Sequence, residues 1–395
     1  MKILVCHNRY RQRSGEDVVF DEMLEILENR GHALVRYIDS NARIDGPFRL
    51  AGSLFSLRVY RELRGLVGRE RPQIAIVQNV FPLLSPSVYW ALRREGVPVL
   101  QNVFNYRLAC PSGTFFSRGR VCERCIRGNY FNGVVRRCFR DSFALSAVYA
   151  LVLAFHRFLG TFHRGVDRYI VPDRFFETKL VAAGFSARKF RRVCNPFKDA
   201  EGAVSQRDDG YILFVGRLVR EKGVITLLEA ARRVPEVPLH IVGDGPLGAH
   251  VRGKAQQAVR FLGPVYGERL DELIAGARAL VVPSEWYDNG PVVVYQAFAR
   301  GKPVIASDID GLPELVVPGQ TGWLFPPGDR AALAALLRHV SNSPEEARRL
   351  GVRAHAWLHG NAGADRYGRA LESVFRELAE AGLSESALKA SRTTS

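Results

Sequence analysis

The stretch from Pro283 to Val316, PSEWYDNGPVVVYQAFARGKPVIASDIDGLPELV, decides the fold. The apolar run ALVVPS (Ala279–Ser284) reads as a buried strand that passes into a loop at Asp288-Asn289-Gly290-Pro291. A helix starts near Val292, and a further strand at Pro303–Ala306 ends in the loop DIDGLPELV, where Gly311 and Pro313 imply a fixed turn. Strand, helix, strand in this order builds a parallel sheet with helices on its faces.

The pattern extends to both sides. YILFV (Tyr211–Val215), LHIV (Leu239–Val242), VRFLG (Val259–Gly263) and KPVIAS (Lys302–Ser307) read as strands, with helical segments GVITLLEAARRV and GERLDELIAGA between them. Before the polar stretch Asp199–Gly210 lies a first α/β set: strands at Lys2–His7, Ala33–Ile38, Ile74–Val77 and Pro98–Val103. VVFDEMLEILENRG and SPSVYWALRREG are its helices. The expectation is two doubly wound α/β domains facing each other across a cleft. Residues 1–195 form the first, 196–209 a linker and 210–360 the second. Residues 361–382 form a helix packing back on the first domain, and 383–395 a frayed tail.

Composition sets bounds. A chain of 395 residues with 47% apolar and 24% charged side chains can fill two cores, and excludes a disordered, collagen-like or coiled-coil protein. The longest uncharged apolar run, Phe143–Phe155, is too short to cross a bilayer. MKILVCHNRY carries no readable secretory signal, and six cysteines do not make a disulfide scaffold, so a cytoplasmic location is expected. The net charge of +16 lies wholly in the first half. Residues 1–200 hold 33 Lys and Arg against 17 Asp and Glu, whereas 201–395 hold 23 of each. The first half therefore suits an anionic partner.

The chemistry-bearing residues cluster in the second half. In FVGRLVREKG (Phe214–Gly223), Gly216 permits a turn and Arg217 and Lys222 lie just beyond a strand's carboxyl end. Open α/β sheets bind ligands outside that end, and two cations there suit a diphosphate. The helix starting near Val292 presents unpaired N–H groups that could hold an anionic leaving group. Asp288 and Gln296 are eight residues apart, about two helical turns, so both can line one side of a site.

The order GRL–EKG, IVGDGP (Ile241–Pro246), FLG (Phe261–Gly263), PSEWYDNGP, QAFARGKPVIASD and GLPELVVPGQTGWLF resembles the donor half of glycosyltransferase family 4. These are retaining enzymes of the GT-B fold. The early SGED loop, VFPLLSPSVYWALRREGVPV, NYRLACP and GVDRYIVPDRFFETKLVAAGF resemble that family's acceptor half. The resemblance covers nearly residues 1–380. It implies transfer of a sugar from a nucleotide-diphosphate sugar to a lipid-linked or cell-envelope glycan, with no cofactor required.

The resemblance also assigns roles. Arg217 and Lys222 would bind the donor diphosphate and stabilise the charge developing on it, and Gly15 would approach it from the first domain. Asp288 matches the first acid of the family's acid pair, near the sugar hydroxyls. The backbone around Asn289, Gly290, Pro291, Val292 and Val293 would sit at sugar and phosphates. Gln296 takes the place of the acid that binds the ribose diol, and Gly263 and Val265 would lie near the base. Phe104 and Asn105 are the acceptor-side candidates.

Three departures stand out. Asp288 and Gln296 replace a pair of glutamates, Phe104 stands where a histidine is usual, and Ser14-Gly15 replaces two glycines. No double-displacement pair and no metal-binding carboxylate motif accompanies the two cations. The expected reaction is therefore front-side substitution through an oxocarbenium-like state, without a metal.

Weaker signals complete the reading. Cys110, Cys122, Cys125 and Cys138 lie within 29 residues, and a structural zinc is weighed there against reduced cysteines supporting a loop. Phe143–Phe155 follows the N-cap Ser142 and is read either as a core helix or as a helix at a membrane surface, near Arg136, Arg137, Arg140, Arg157 and Arg164. Peripheral contact with the inner face of the cell membrane is the corresponding expectation. His7 and His156 receive no catalytic role. The rivals are a sugar-nucleotide epimerase, a transferase-like subunit that binds without turnover, and nucleic-acid binding. The last lacks any supporting motif, so no nucleic-acid partner is expected.

Overall fold

The computed structural model describes residues 1–11, 14–43, 52–198, 203–254, 258–288 and 290–393, with side chains to residue 380 except Arg43 and Lys254. The chain divides into two compact units. One comprises Met1–Thr114, Glu123–Pro196 and Ala364–Ser395, the other Phe115–Cys122 and Phe197–Gly363.

The first unit holds a parallel sheet of six strands: β1 (Lys2–Arg9), β2 (Ala33–Ser40), β3 (Ile74–Val77), β4 (Val99–Asn102), β7 (Arg168–Val171) and β8 (Phe190–Arg192). Their order is β2-β1-β3-β4-β7-β8, so the winding reverses between β1 and β3. Ile3, Val5, Ile76, Leu100 and Ile170 pack under Phe20, Met23 and Leu27 of the helix Gly15–Asn29. The helix Ala364–Thr393 covers the same core with Leu371, Val374 and Phe375. Arg30 clamps it by a two-pronged pair to Glu372 at 2.8 and 2.9 Å, which lowers the glutamate pKa to about 2.

The second unit repeats the architecture with β9 (Ile212–Val215), β10 (Leu239–Val242), β11 (Val259–Gly263), β12 (Ala279–Val282), β13 (Val304–Ser307) and β14 (Gly322–Phe325). The strands are parallel in the order β11-β10-β9-β12-β13-β14, so the winding reverses between β9 and β12. β5 (Phe116–Ser117) and β6 (Arg120–Val121) form a small antiparallel hairpin that groups with this unit although it lies early in the chain.

The structure departs from the sequence reading in several places. β7, β8 and β14 and the hairpin were not legible. Strands of two to four residues, such as FRR and GWLF, show no periodicity of their own. The last helix continues to Thr393, where a tail from residue 383 was expected. The four cysteines of the zinc expectation fall in two units. Cys122 closes the hairpin of the second unit whereas Cys110, Cys125 and Cys138 belong to the first. Among the described residues no three Cys, His, Asp or Glu side chains gather as an ion needs.

Lys302 is buried and donates to the Arg207 carbonyl at 2.5 Å. Burial pushes its pKa from 10.5 down to about 8, with Asp208 and Asp209 opposing. The unfolded chain therefore binds the extra proton between those pH values, and the group's contribution to stability rises with pH across that window. The melting temperature of wild type relative to Lys302→Met is expected to rise between pH 8 and pH 10. A pH-independent difference in calorimetric scans would contradict this.

Candidate active site

The carboxyl edge of the second sheet gathers most of the donor-side candidates. β9 ends at Val215, and Gly216 donates its N–H to the Val242 carbonyl at 3.0 Å, tying the turn to β10. Leu218 is fully buried and anchors the loop, so Arg217 beside it points outward. The Arg217 side chain is 66% exposed and its Nη2 is 3.8 Å from Glu221 Oε1. The 3-10 turn Arg220–Lys222 delivers Lys222, and Gly223 then starts the helix Val224–Ala231.

Lys222 Nζ donates to Asp288 Oδ2 at 2.6 Å, and Ser284 Oγ donates to the same oxygen at 2.9 Å. Lys222 also lies 5.7 Å from the Trp286 ring centroid. Asp288 is buried, so its carboxylate depends on these partners for compensation. Two residues of the sequence reading, 66 positions apart, thus form one ion pair.

Beyond Asp288, Gly290 takes φ of 52° and Pro291 caps the helix Val292–Ala299 without a side-chain bond. Its first N–H groups are therefore free of a side-chain cap among the described residues, as an anion-binding terminus requires. Asn289 lies outside the described residues. Gln296 is half-buried and makes no hydrogen bond among the described residues. Gly263 takes φ of 72° at the end of β11 and accepts from Gly243 N–H at 2.9 Å; Val265 is half-buried two residues on.

Sequence reasoning missed three contributors. The Trp286 indole N–H is buried without an acceptor among the described residues. Ser307 Oγ, at the end of β13, is buried and likewise without a partner among the described residues. The hairpin brings Phe115 edge-on to Tyr287 at 6.2 Å and places Gly119 under the Arg220 side chain. Only the unusual richness of PSEWYDN in aromatic residues hinted at the first of these.

In the first unit Gly15 opens its helix behind a capping box between Ser14 and Asp17. Asp17 is buried and meets His7 Nε2 at 2.9 Å, so His7 is a structural partner. Asn105 caps the turn Tyr106–Leu108 and donates to Glu16 Oε2 at 3.2 Å. Tyr10 donates to the same oxygen at 2.7 Å, and Arg107 donates to Tyr10 Oη at 2.9 Å and Asn79 Oδ1 at 3.2 Å. Burial pushes the Tyr10 hydroxyl far above its ordinary range, with Glu16 adding and Arg107 opposing. Phe104 is half-buried beside this network. Glu16, Tyr10, Asn79 and Arg107 were not singled out in the sequence because their pairing spans up to 97 positions.

Residues 198–357 match the family described as "Glycosyl transferases group 1". Among curated relatives, the sulfoquinovosyl transferase SQD2 of Arabidopsis thaliana is 29% identical over 211 residues, 49% of this chain and 41% of the relative. The amylovoran biosynthesis glycosyltransferase AmsK of Erwinia amylovora is 30% identical over 187 residues, 43% and 46% of the two chains. A glycogen synthase of Mycobacterium tuberculosis is 39% identical over 147 residues, 35% of each. The chain thus spans less than half the length of these relatives. Of solved structures, Anabaena Alr3699/HepE in complex with UDP has a TM-score of 0.68 at 15% identity, covering 95% of this chain and 100% of that one. Sucrose-phosphate synthase from Thermosynechococcus elongatus has a TM-score of 0.70 at 20% identity, covering 96% and 100%. The two Rossmann-like units are those of the GT-B fold. The match to this family covers residues 198–357, within the second unit.

Proposed function

We propose that this protein is a family 4 glycosyltransferase that moves a sugar, with retention, from a nucleotide-diphosphate sugar to a lipid-linked or cell-envelope glycan. The Lys222–Asp288 pair beside the start of the helix Val292–Ala299 carries the reading. It sits beyond the carboxyl ends of β9 and β12, where the strand order reverses and such sheets take their ligands.

Arg217, Lys222 and the helix N-terminus would neutralise the departing nucleoside diphosphate. The bond between the sugar's anomeric carbon and the phosphate oxygen breaks. The acceptor oxygen bonds to the same face of that carbon, and its proton passes to a departing phosphate oxygen. Asp288 would accept from the sugar hydroxyls, and the unpartnered Trp286 N–H and Ser307 Oγ offer further polar contacts. No metal enters this scheme. Gly15, Phe104 and Asn105 belong to the first unit, whose basic surface suits an anionic acceptor at the inner face of the membrane. Among the described residues no helix is long and apolar enough to cross a membrane.

A thermal-shift panel of sugar nucleotides and free nucleoside diphosphates tests the reading. At least one nucleotide is expected to raise the melting temperature, and the responding sugar nucleotide should release its diphosphate when acceptor is added. No shift across the panel would overturn the proposal. A shift without turnover would favour a binding subunit, the second reading that Gln296 motivates.

Gln296 also gives a separate expectation. A charged acceptor adds about 1 kcal/mol to a hydrogen bond, so Gln296→Glu is expected to tighten nucleotide binding about fivefold. The gain should vanish with a 2′,3′-dideoxy nucleotide in titration calorimetry, and its persistence would remove Gln296 from the ribose.

A further inference from the structure

The first unit contains a cavity of about 200 Å³ lined by Trp90, Arg93, Leu159, Thr161 and Arg164 among others. Arg93 ends the helix Ser87–Arg94, which leads into β4, and Arg164 lies in the turn of helix Thr161–Gly165 that leads into β7. The cavity therefore lies at the amino ends of β4 and β7. Ligand chemistry on such sheets belongs to the opposite edge, where the Glu16–Arg107 network sits.

Its electrostatics call for an anion. Neither Arg93 nor Arg164 has a carboxylate partner among the described residues; Arg93 Nη1 donates instead to the Arg164 carbonyl at 3.1 Å. Lys189, held by the His163 and Val166 carbonyls at 2.7 and 2.5 Å, adds a third cation nearby. Burial, and then Arg93 and Arg168 against the opposing Asp167, lower its pKa. Asp167 is itself occupied by the Val99 N–H at 2.8 Å. Trp90, 37% exposed, donates to Thr161 Oγ1 at 3.2 Å.

A second observation adjoins the cavity. The helix Phe143–Phe158 exposes Phe143, Ala144, Leu151, Ala154, Phe155 and Phe158, with no polar residue among them. At 100° per residue these fall within about 120° of the circumference. Phe158 is 87% exposed, and the next residue, Leu159, lines the cavity. Phe131 and Val135 on the adjoining helix Phe131–Val135 extend the apolar face. Arg136, Arg137 and Arg140 follow, without an ion pair among the described residues. An uncovered apolar stripe flanked by unpaired arginines matches an anionic bilayer surface in both polarity and charge.

We propose that this stripe lies on an anionic membrane and that the cavity takes the phosphate of one lipid headgroup between Arg93 and Arg164. The inference deepens the membrane-linked part of the function proposed above and rests on it. It assigns the anchoring site to the amino edge of the first sheet, opposite the edge that carries the Glu16–Arg107 network.

Full-length protein sedimented with phosphatidylcholine vesicles, with and without phosphatidylglycerol, tests this at low and high salt. Wild type is expected to bind only the anionic vesicles, and less at high salt. Phe155→Ser with Phe158→Ser should abolish binding. Arg93→Gln with Arg164→Gln should weaken it about tenfold, and more than the charge-matched control Arg136→Gln with Arg137→Gln. Equal losses from the two arginine pairs would overturn the headgroup site. Absence of wild-type binding at low salt would overturn the whole proposal. So would a cavity-dependent melting shift with soluble glycerol phosphate but no vesicle binding, or a dimer in sedimentation equilibrium that the Phe155 and Phe158 changes dissolve. Nucleotide-induced melting shifts, read on every variant, should match wild type. Their absence throughout, with vesicle binding intact, would sink the transferase reading and leave this one standing.

Discussion

Lys222→Ala is expected to lower kcat/KM for sugar transfer by about 10²–10³-fold, the scale of removing one well-placed donor to a developing anion. It should also abolish the nucleotide-induced melting shift, as should Arg217→Ala. The two changes differ in their structural cost. Arg217 is mostly exposed and 3.8 Å from its carboxylate neighbour, so its loss should leave stability almost unchanged. Lys222 compensates the buried Asp288 at 2.6 Å, so its removal leaves a carboxylate with only the Ser284 hydroxyl among the described residues. A cost of about 1–3 kcal/mol follows. Asp288→Asn in the Lys222→Ala background should recover part of this stability but none of the activity. Recovered activity in the double variant, or nucleotide shifts equal to wild type in either single variant, would refute the diphosphate assignment.

Gly223→Ala is the more destructive change. Gly223 takes φ of 70°, and a β-carbon there would sit 1.6 Å from the Pro283 carbonyl oxygen and 2.6 Å from its carbon. Both are backbone atoms at the end of β12, next to β9 in the sheet, so neither can swing aside. The expected loss exceeds about 4 kcal/mol, and failure to accumulate folded protein is an equivalent outcome. Gly267→Ala supplies the comparison. Its φ of 60° with ψ of −147° is a backbone region that essentially only glycine takes, but nothing lies within 4 Å of the added carbon. Only the intrinsic backbone strain of about 1–3 kcal/mol remains. Urea denaturation should separate the two variants clearly. Similar midpoints would mean that the Lys222 loop is not pinned against β12.

Much of the candidate site was legible because its signals are local. Arg217 and Lys222 stand within seven residues of the strand that places them, and the Pro291–Val292 helix start follows β12 by ten. What escaped was either short or distant. Two-residue strands at 116–117 and 120–121 carry no alternation to read, and nothing in CPSGTFFSRGRVC says that Phe115 will meet Tyr287. Nothing local in the four-cysteine stretch says either that the hairpin groups Cys122 with the second unit while Cys110, Cys125 and Cys138 belong to the first.

Residue order alone established the alternation of strands and helices, the two α/β units, the concentration of positive charge in the first half and the Ser142 cap of an apolar helix. Each depends on neighbours within a few turns, where spacing and side-chain type suffice. Only the tertiary structure decided that Lys222 pairs with Asp288, that Glu16 gathers Tyr10 and Asn105, and that Phe158 stands in the open near two arginines that have no carboxylate partner among the described residues. Those outcomes follow from strand order and from which helix face finds a partner, and both are set by contacts between segments far apart in the chain.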